Sequence, residues 1–135
     1  MIKIWIPGQP VAKGRPRFAK RGKFTKVFTD EKTARWENLV ALATAASMVG
    51  KKPMEGALLV DAIFWLKRPK SIPKKVKFPV KKPDLDNMVK ALLDGMTQGG
   101  IWGDDSQVVD LASGKRYELE GQGVGVSVTV AEMEE

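Results

Sequence analysis

Asp84-Leu85-Asp86-Asn87-Met88-Val89-Lys90-Ala91-Leu92-Leu93-Asp94-Gly95-Met96-Thr97 is the stretch on which the reading of the fold turns. At about 100° per residue, Leu85, Val89, Leu92, Leu93 and Met96 form one apolar stripe, and Asp86, Lys90 and Asp94 form a polar stripe beside it. The spacing predicts a helix over about 86–97, stopped by Gly99-Gly100 and followed by a tight turn at Gly103-Asp104-Asp105. Upstream, Leu58 to Leu66 is a β-rich run with Asp61 as its one polar residue, which predicts a largely buried strand. Downstream, residues 108–119 predict a strand broken near Ser113-Gly114, and Val124, Val126, Val128 and Val130 alternate without fault. Nearer the start, Ile2, Ile4 and Ile6 alternate up to Pro7-Gly8. A first helix is expected from Thr29, with Trp36, Leu39, Val40 and Ala43 on one face, ending at Gly50 and Pro53. Two basic segments, 9–28 and 67–83, separate these elements. The first has the tip of a hairpin at Arg21-Gly22-Lys23, and the second reads as an extended loop with four Pro. The order strand, basic loop, helix, strand, basic loop, helix, strand, strand predicts one α/β (α+β) domain over 1–135. Its small mixed β-sheet carries two main helices packed on it.

Charge divides the chain. Residues 1–83 hold 20 basic and 5 acidic side chains, while 84–135 hold 3 basic and 11 acidic, and the sign changes between Pro83 and Asp84. A basic majority this strong points to a polyanionic partner, most simply nucleic acid. Acids gathered in one half of a polyanion binder call for a bound cation. Cysteine and histidine are both absent, which excludes disulfides, thiol nucleophiles, thiolate zinc sites and any triad built on His. A metal here must be held by oxygen, which leaves magnesium, manganese or calcium. No secretory leader fits Met1 to Pro7, and no run approaches the roughly 18 apolar residues of a membrane span, so a cytoplasmic protein is expected.

The acids form two groups, Asp84/Asp86 at the start of the second helix and Asp104/Asp105 in the turn after it. About 12 helical residues rise roughly 18 Å, so the groups meet only if the glycine-rich 99–103 segment folds back along the helix. Converging carboxylates at 4 Å repel by about 4 kcal/mol at an effective dielectric near 20, which a divalent cation offsets. Read separately, Asp84 caps a helix, Asp86 favours its dipole and Gly-Asp-Asp-Ser makes a turn. Read together beside a basic half, they favour a metal site. Lys90 either pairs with Asp86 along the helix or reaches a scissile phosphate. Asp94 is expected as its ion partner, and Lys115 is a rival for the same electrophilic role. Asp61 either supports the site from behind its ligands or is exposed at an edge. The basic segments interleave cations with aromatics, and Lys13, Arg15, Arg17, Lys20, Arg21, Lys23, Lys81, Lys82 and Lys115 are the candidate DNA contacts. The four tryptophans are expected in the core.

Lys82-Pro83-Asp84-Leu85-Asp86-Asn87, Lys90, Leu93-Asp94 and Asp104-Asp105-Ser106-Gln107-Val108 resemble the RusA family of Holliday-junction resolvases. Pro10-Val11-Ala12-Lys13-Gly14-Arg15-Pro16-Arg17 is similar to the basic motif near the start of such proteins. The resemblance implies a homodimeric, Mg²⁺-dependent endonuclease, with Mn²⁺ a substitute ion, that cuts branched four-way DNA junctions symmetrically. It implies Asp84, Asp86 and Asp105 as catalytic carboxylates and metal ligands, Asp104 as the neighbouring acid and Lys90 as the functional lysine. Residues 67–82 show no clear counterpart of the DNA-facing loop of the best-known members. Two other readings stay open: a non-catalytic or architectural DNA-binding protein, and a metal-dependent nuclease for flaps or other branches.

Overall fold

In the computed structural model, which describes residues 1–13, 17–21, 24–28 and 31–134 (the backbone alone for 17–21 and 24–28), period-two and period-3.6 segments alternate along the chain. They are β1 (Ile2–Pro7), β2 (Arg17–Arg21), β3 (Phe24–Phe28), α1 (Glu31–Ser47), β4 (Leu58–Leu66), α2 (Leu85–Gln98), β5 (Val108–Tyr117) and β6 (Gly125–Glu132). A single 3₁₀ turn, Asp105–Gln107, leads into β5. Four strands form one mixed sheet in the order β1-β6-β4-β5, antiparallel except for the parallel pair β4–β5. A parallel pair needs a crossover, and α2 supplies it. Strands β2 and β3 pair separately and antiparallel, with Arg21 opposite Phe24, and Gly22 and Lys23 of the expected tip lie outside the described residues. The predicted small α+β domain is the one observed.

Strand alternation decides which face is covered. Leu58, Val60, Ala62, Phe64 and Leu66 of β4 are buried, as are Val126, Val128 and Val130 of β6 and Ile4 and Ile6 of β1. They form one core with Trp36 and Val40 of α1 and Met88, Val89, Ala91, Leu92 and Met96 of α2. Each large side chain fully buried there contributes about 1.5–3 kcal/mol. The helices meet closely because α2 has no side chain at Gly95 and α1 presents Val40 there. A Cβ at Gly95 would lie 2.7 Å from Val40 Cβ and 2.8 Å from the Glu37 carbonyl oxygen.

Several expectations are corrected. Strand β5 runs unbroken through Ser113 and Gly114, which pair with Ala62 and Ile63. A buried neighbouring strand overrides the local turn signal. Leu39 is exposed, and the inward face of α1 runs instead through Thr33, Trp36, Glu37, Val40 and Thr44. Trp36 and Trp102 are core, but Trp5 is 40% exposed and Trp65 is half-buried, donating to Ser127 Oγ at 3.2 Å. Asp61 belongs to an interior strand and is exposed on the sheet face away from the helices. The expected start of α1 at Thr29 and Asp30 lies outside the described residues. Among the described residues no helix is long and apolar enough to cross a membrane.

Candidate active site at the two ends of α2

At its first end, α2 begins where the basic segment 67–83 stops. Asp84 occupies the N-cap position with extended backbone (φ −74°, ψ 135°), yet its side chain makes no capping hydrogen bond. Its Oδ2 instead accepts from Lys82 Nζ at 3.3 Å. The cap reading of Asp84 therefore holds for its backbone and not for its carboxylate, which is left to other work. Asp86 is exposed in the first turn, where the positive end of the helix dipole favours negative charge. A cleft of about 610 Å³ opens here, bordered by Gln9, Lys13, Lys32, Lys82, Asp84 and Asn87. Its walls come from the two basic segments and both helices. Lys115 on β5 donates to the backbone carbonyls of Lys81 (2.8 Å) and Pro83 (2.9 Å).

The basic segment itself is built rather than loose. The Arg68 guanidinium donates to the carbonyls of Val76 (2.7 Å) and Pro73 (2.6 Å) and lies over the Tyr117 ring at 4.9 Å. Arg116 lies over the Phe78 ring at 5.4 Å. These contacts leave Lys81 and Lys82 exposed beside Asp84.

At the other end, Gly99 and Gly100 stop the helix, and Trp102 Nε1 donates back to Thr97 Oγ1 at 2.8 Å. Gln107 organises the acidic turn. Its Oε1 accepts from the Gly103 and Asp104 amides at 2.9 and 3.2 Å, and its Nε2 donates to the carbonyls of Met54 and Gly56, both at 3.1 Å. The Ser106 hydroxyl donates to Asp104 Oδ2 at 2.9 Å and holds that carboxyl below its ordinary range. Asp105 moves the other way: burial, the hydrogen bond to Asp104, and the charges of Asp104 and Asp94 raise it.

A second cleft, about 460 Å³, sets Asp104 and Asp105 opposite Lys13, Glu37, Asp94 and Thr97. Lys13 bridges the helices here, 3.1 Å from Glu37 Oε1 on α1 and 2.6 Å from Asp94 Oδ2 on α2. Burial works to lower its ammonium, and the bonds to Asp94 and Glu37 outweigh burial and raise it. The Lys13 amide also donates to the Asn87 carbonyl at 3.0 Å, and Thr33 Oγ1 donates to the Ala12 carbonyl at 3.3 Å. The root of the basic arm is thus stitched to both helices.

Asp94 is held by Lys13 and not, as expected, by Lys90. Lys90 is exposed and makes no ion pair among the described residues, with Asp86 or any other acid. The 99–103 segment brings Asp105 back as far as Asp94, which still stands eight residues, roughly 12 Å of rise, from Asp86. Among the described residues no group of three or more acids is placed to hold a metal ion. Arg15 and Lys23 lie outside the described residues, as do the side chains of Arg17, Lys20 and Arg21 on β2. Sequence reasoning missed Glu37, whose i+4 and i+3 spacing to Thr33 and Val40 on the inward face of α1 was the available signal. It also passed over Gln107 as the organiser of the acidic turn.

Residues 7–129 match the family model for Endodeoxyribonuclease RusA. The chain is also 35% identical over 129 residues to a Bacillus subtilis (strain 168) protein named "Uncharacterized protein YqaN", an alignment covering 88% of this chain and 89% of that one. By the extent of the family match and of this similarity, the chain belongs to the RusA endodeoxyribonuclease family, which implies endonuclease activity on branched DNA.

Proposed function

We propose that the protein is a Mg²⁺-dependent resolvase of four-way DNA junctions, acting as a homodimer by paired, symmetric hydrolysis of phosphodiesters. The observation that carries this reading is the Asp84 carboxylate, not used for capping, beside exposed Asp86 on a cleft framed by Lys32 and Lys82. The donor set fits a hard cation, since His and Cys are absent and the candidates are carboxylates. Magnesium is commonly held by one or two carboxylates with waters and substrate phosphate, and Asp84 and Asp86 would supply those two. When bound, the ion supplies Lewis acidity and a more acidic water. Asp105 would be the third carboxylate of the set, and within one chain it comes back as far as Asp94, ten residues and roughly 15 Å of helix rise from Asp84.

The remaining work belongs to the chain's own groups. Lys90, exposed and without an ion pair among the described residues, stabilises the charge that gathers on the phosphoryl oxygens. Lys81, Lys82 and the basic segment 9–28 bind the phosphate backbone through charge, without reading sequence. A junction has approximate twofold symmetry, so a C₂ dimer sets one site on each of two opposed strands.

The test is cleavage of a labelled four-way junction, a flap and a linear duplex, in Mg²⁺, Mn²⁺ and EDTA, with wild type beside Asp86→Asn. Paired symmetric nicks in the junction that need the divalent ion and Asp86, with binding kept in the variant, are expected. Tight binding with no cleavage under either ion would sink the catalytic reading. Preferential cleavage of the flap would move the protein to another branched substrate.

A further inference from the structure

We propose that Lys115 is a positioning residue that holds Asp84 in place and closes a rigid frame around both acidic groups. The inference rests on Asp84 being a site carboxylate. An ammonium has three donors, and two of those of Lys115 go to the carbonyls of Lys81 and Pro83, immediately before Asp84. Charge-assisted bonds of this kind are about twice as strong as neutral ones. Within that stretch Pro79 is buried and the Phe78 ring lies under Arg116, but among the described residues no backbone–backbone hydrogen bond involves 77–83, and Pro83 has no amide to offer. Lys115 itself stands on firm ground, opposite buried Phe64 in the parallel β4–β5 ladder.

The lengths agree with this role. From Leu85 to Gln98, α2 carries the chain roughly 21 Å away from Asp84. From Val108 to Lys115, β5 brings it back by roughly 23 Å, at about 3.3 Å per residue. Asp105 sits at the far corner, just before β5, and Lys115 joins the near end of β5 to Pro83. One lysine therefore closes a loop made of α2, the acidic turn, β5 and the end of the basic segment. It neither points its charge at DNA nor at a reacting phosphate.

Lys115→Met and Lys115→Arg test this beside wild type. The readouts are hydrogen exchange of the amides at 80–86 in the metal-free protein, junction affinity across salt, and cleavage across Mg²⁺ concentrations. For Lys115→Met, exchange at 80–86 should quicken at least tenfold with β4 and β6 unchanged. Cleavage at saturating DNA should fall about 10–100-fold and require more Mg²⁺, as for loss of a group supporting a ligand. Junction affinity and its salt slope should stay within error, and Lys115→Arg should recover most of the cleavage. A salt slope shallower by about one unit would make Lys115 a phosphate contact and overturn the proposal. So would lost cleavage with unchanged exchange, the mark of a group acting at the reacting phosphate. If wild type cuts no branched DNA, the reading of Asp84 as a site carboxylate fails, while the exchange arm still decides whether Lys115 holds the segment.

Discussion

Gly95→Ala should destabilise this protein, although the same change usually stabilises a helix. In a helix interior, alanine is better than glycine by about 1 kcal/mol. At Gly95 the new methyl would sit 2.7 Å from both Val40 Cβ and Val40 Cγ1 and 2.8 Å from the Glu37 carbonyl oxygen. Ordinary carbon contacts lie near roughly 3.5–4.0 Å, so α2 must withdraw from α1 by about 0.7 Å or more. Overpacking of this kind costs about 1–3 kcal/mol. The backbone carbonyl cannot move aside by changing rotamer, which puts the cost at the upper end and the net loss at about 2 kcal/mol. In a domain of this size each kcal/mol lowers the midpoint by about 4 °C, so thermal melting followed by circular dichroism should show a drop of about 8 °C. Adding Val40→Ala removes the Cγ1 contact but leaves Val40 Cβ and the Glu37 carbonyl. The double variant should thus be more stable than additivity predicts by about 0.5–1 kcal/mol. A melting point equal to or above wild type would refute the close approach of the helices at Gly95, and strict additivity would place the clash somewhere other than Val40.

Lys13→Met and Lys82→Met should separate two kinds of lysine. The first leaves Glu37, 7% exposed, without its cation and should cost about 1–3 kcal/mol by urea titration while leaving the salt slope of DNA binding alone. The second removes a side chain that is 88% exposed and should make that slope shallower by about one unit, with stability within 0.5 kcal/mol. Asp105→Asn should stabilise the metal-free protein at pH 7. Because the folded chain holds the Asp105 proton above the ordinary 3.8, its stability falls as pH rises through that value to the raised one, and stays lower above it. Melting temperatures should match at pH 3 and favour the variant at pH 7, and a variant less stable than wild type at pH 7 would contradict the shift.

What could be read from residues alone was what local period dictates. The stripe from Leu85 to Met96 places α2 within a residue at each end, and the valines of β6 place the strand that runs through the middle of the sheet. Long-range pairing was out of reach. Asp94 looked like a partner for Lys90, four residues away, but Lys13 comes from 81 residues away and takes it. Ser113-Gly114 looked like a turn because its partner, Ala62-Ile63, is invisible to a local window. Asp84, Asp86 and Asp105 stood out by type and by resemblance, yet the distance between the two groups depended on where the 99–103 segment turned. Lys115 looked like a free cation because a backbone carbonyl leaves no mark in a sequence.

The place of β6 in the sheet has a consequence for how the protein is made. Strand β6 lies between β1 and β4, and Ile2 pairs with Val130. As the chain leaves the ribosome, β1 emerges early and waits for a partner made more than a hundred residues later. Meanwhile β4 has exposed edges and an uncovered apolar face, the condition in which nascent chains associate wrongly. Contacts so distant in sequence also slow the search for the native state. The four-stranded sheet comes together in one late step when β6 slots between two strands already made. Until then the carboxylates at the two ends of α2 have no sheet to hold them, so a partly synthesised chain carries its positive charge without a nuclease to direct it.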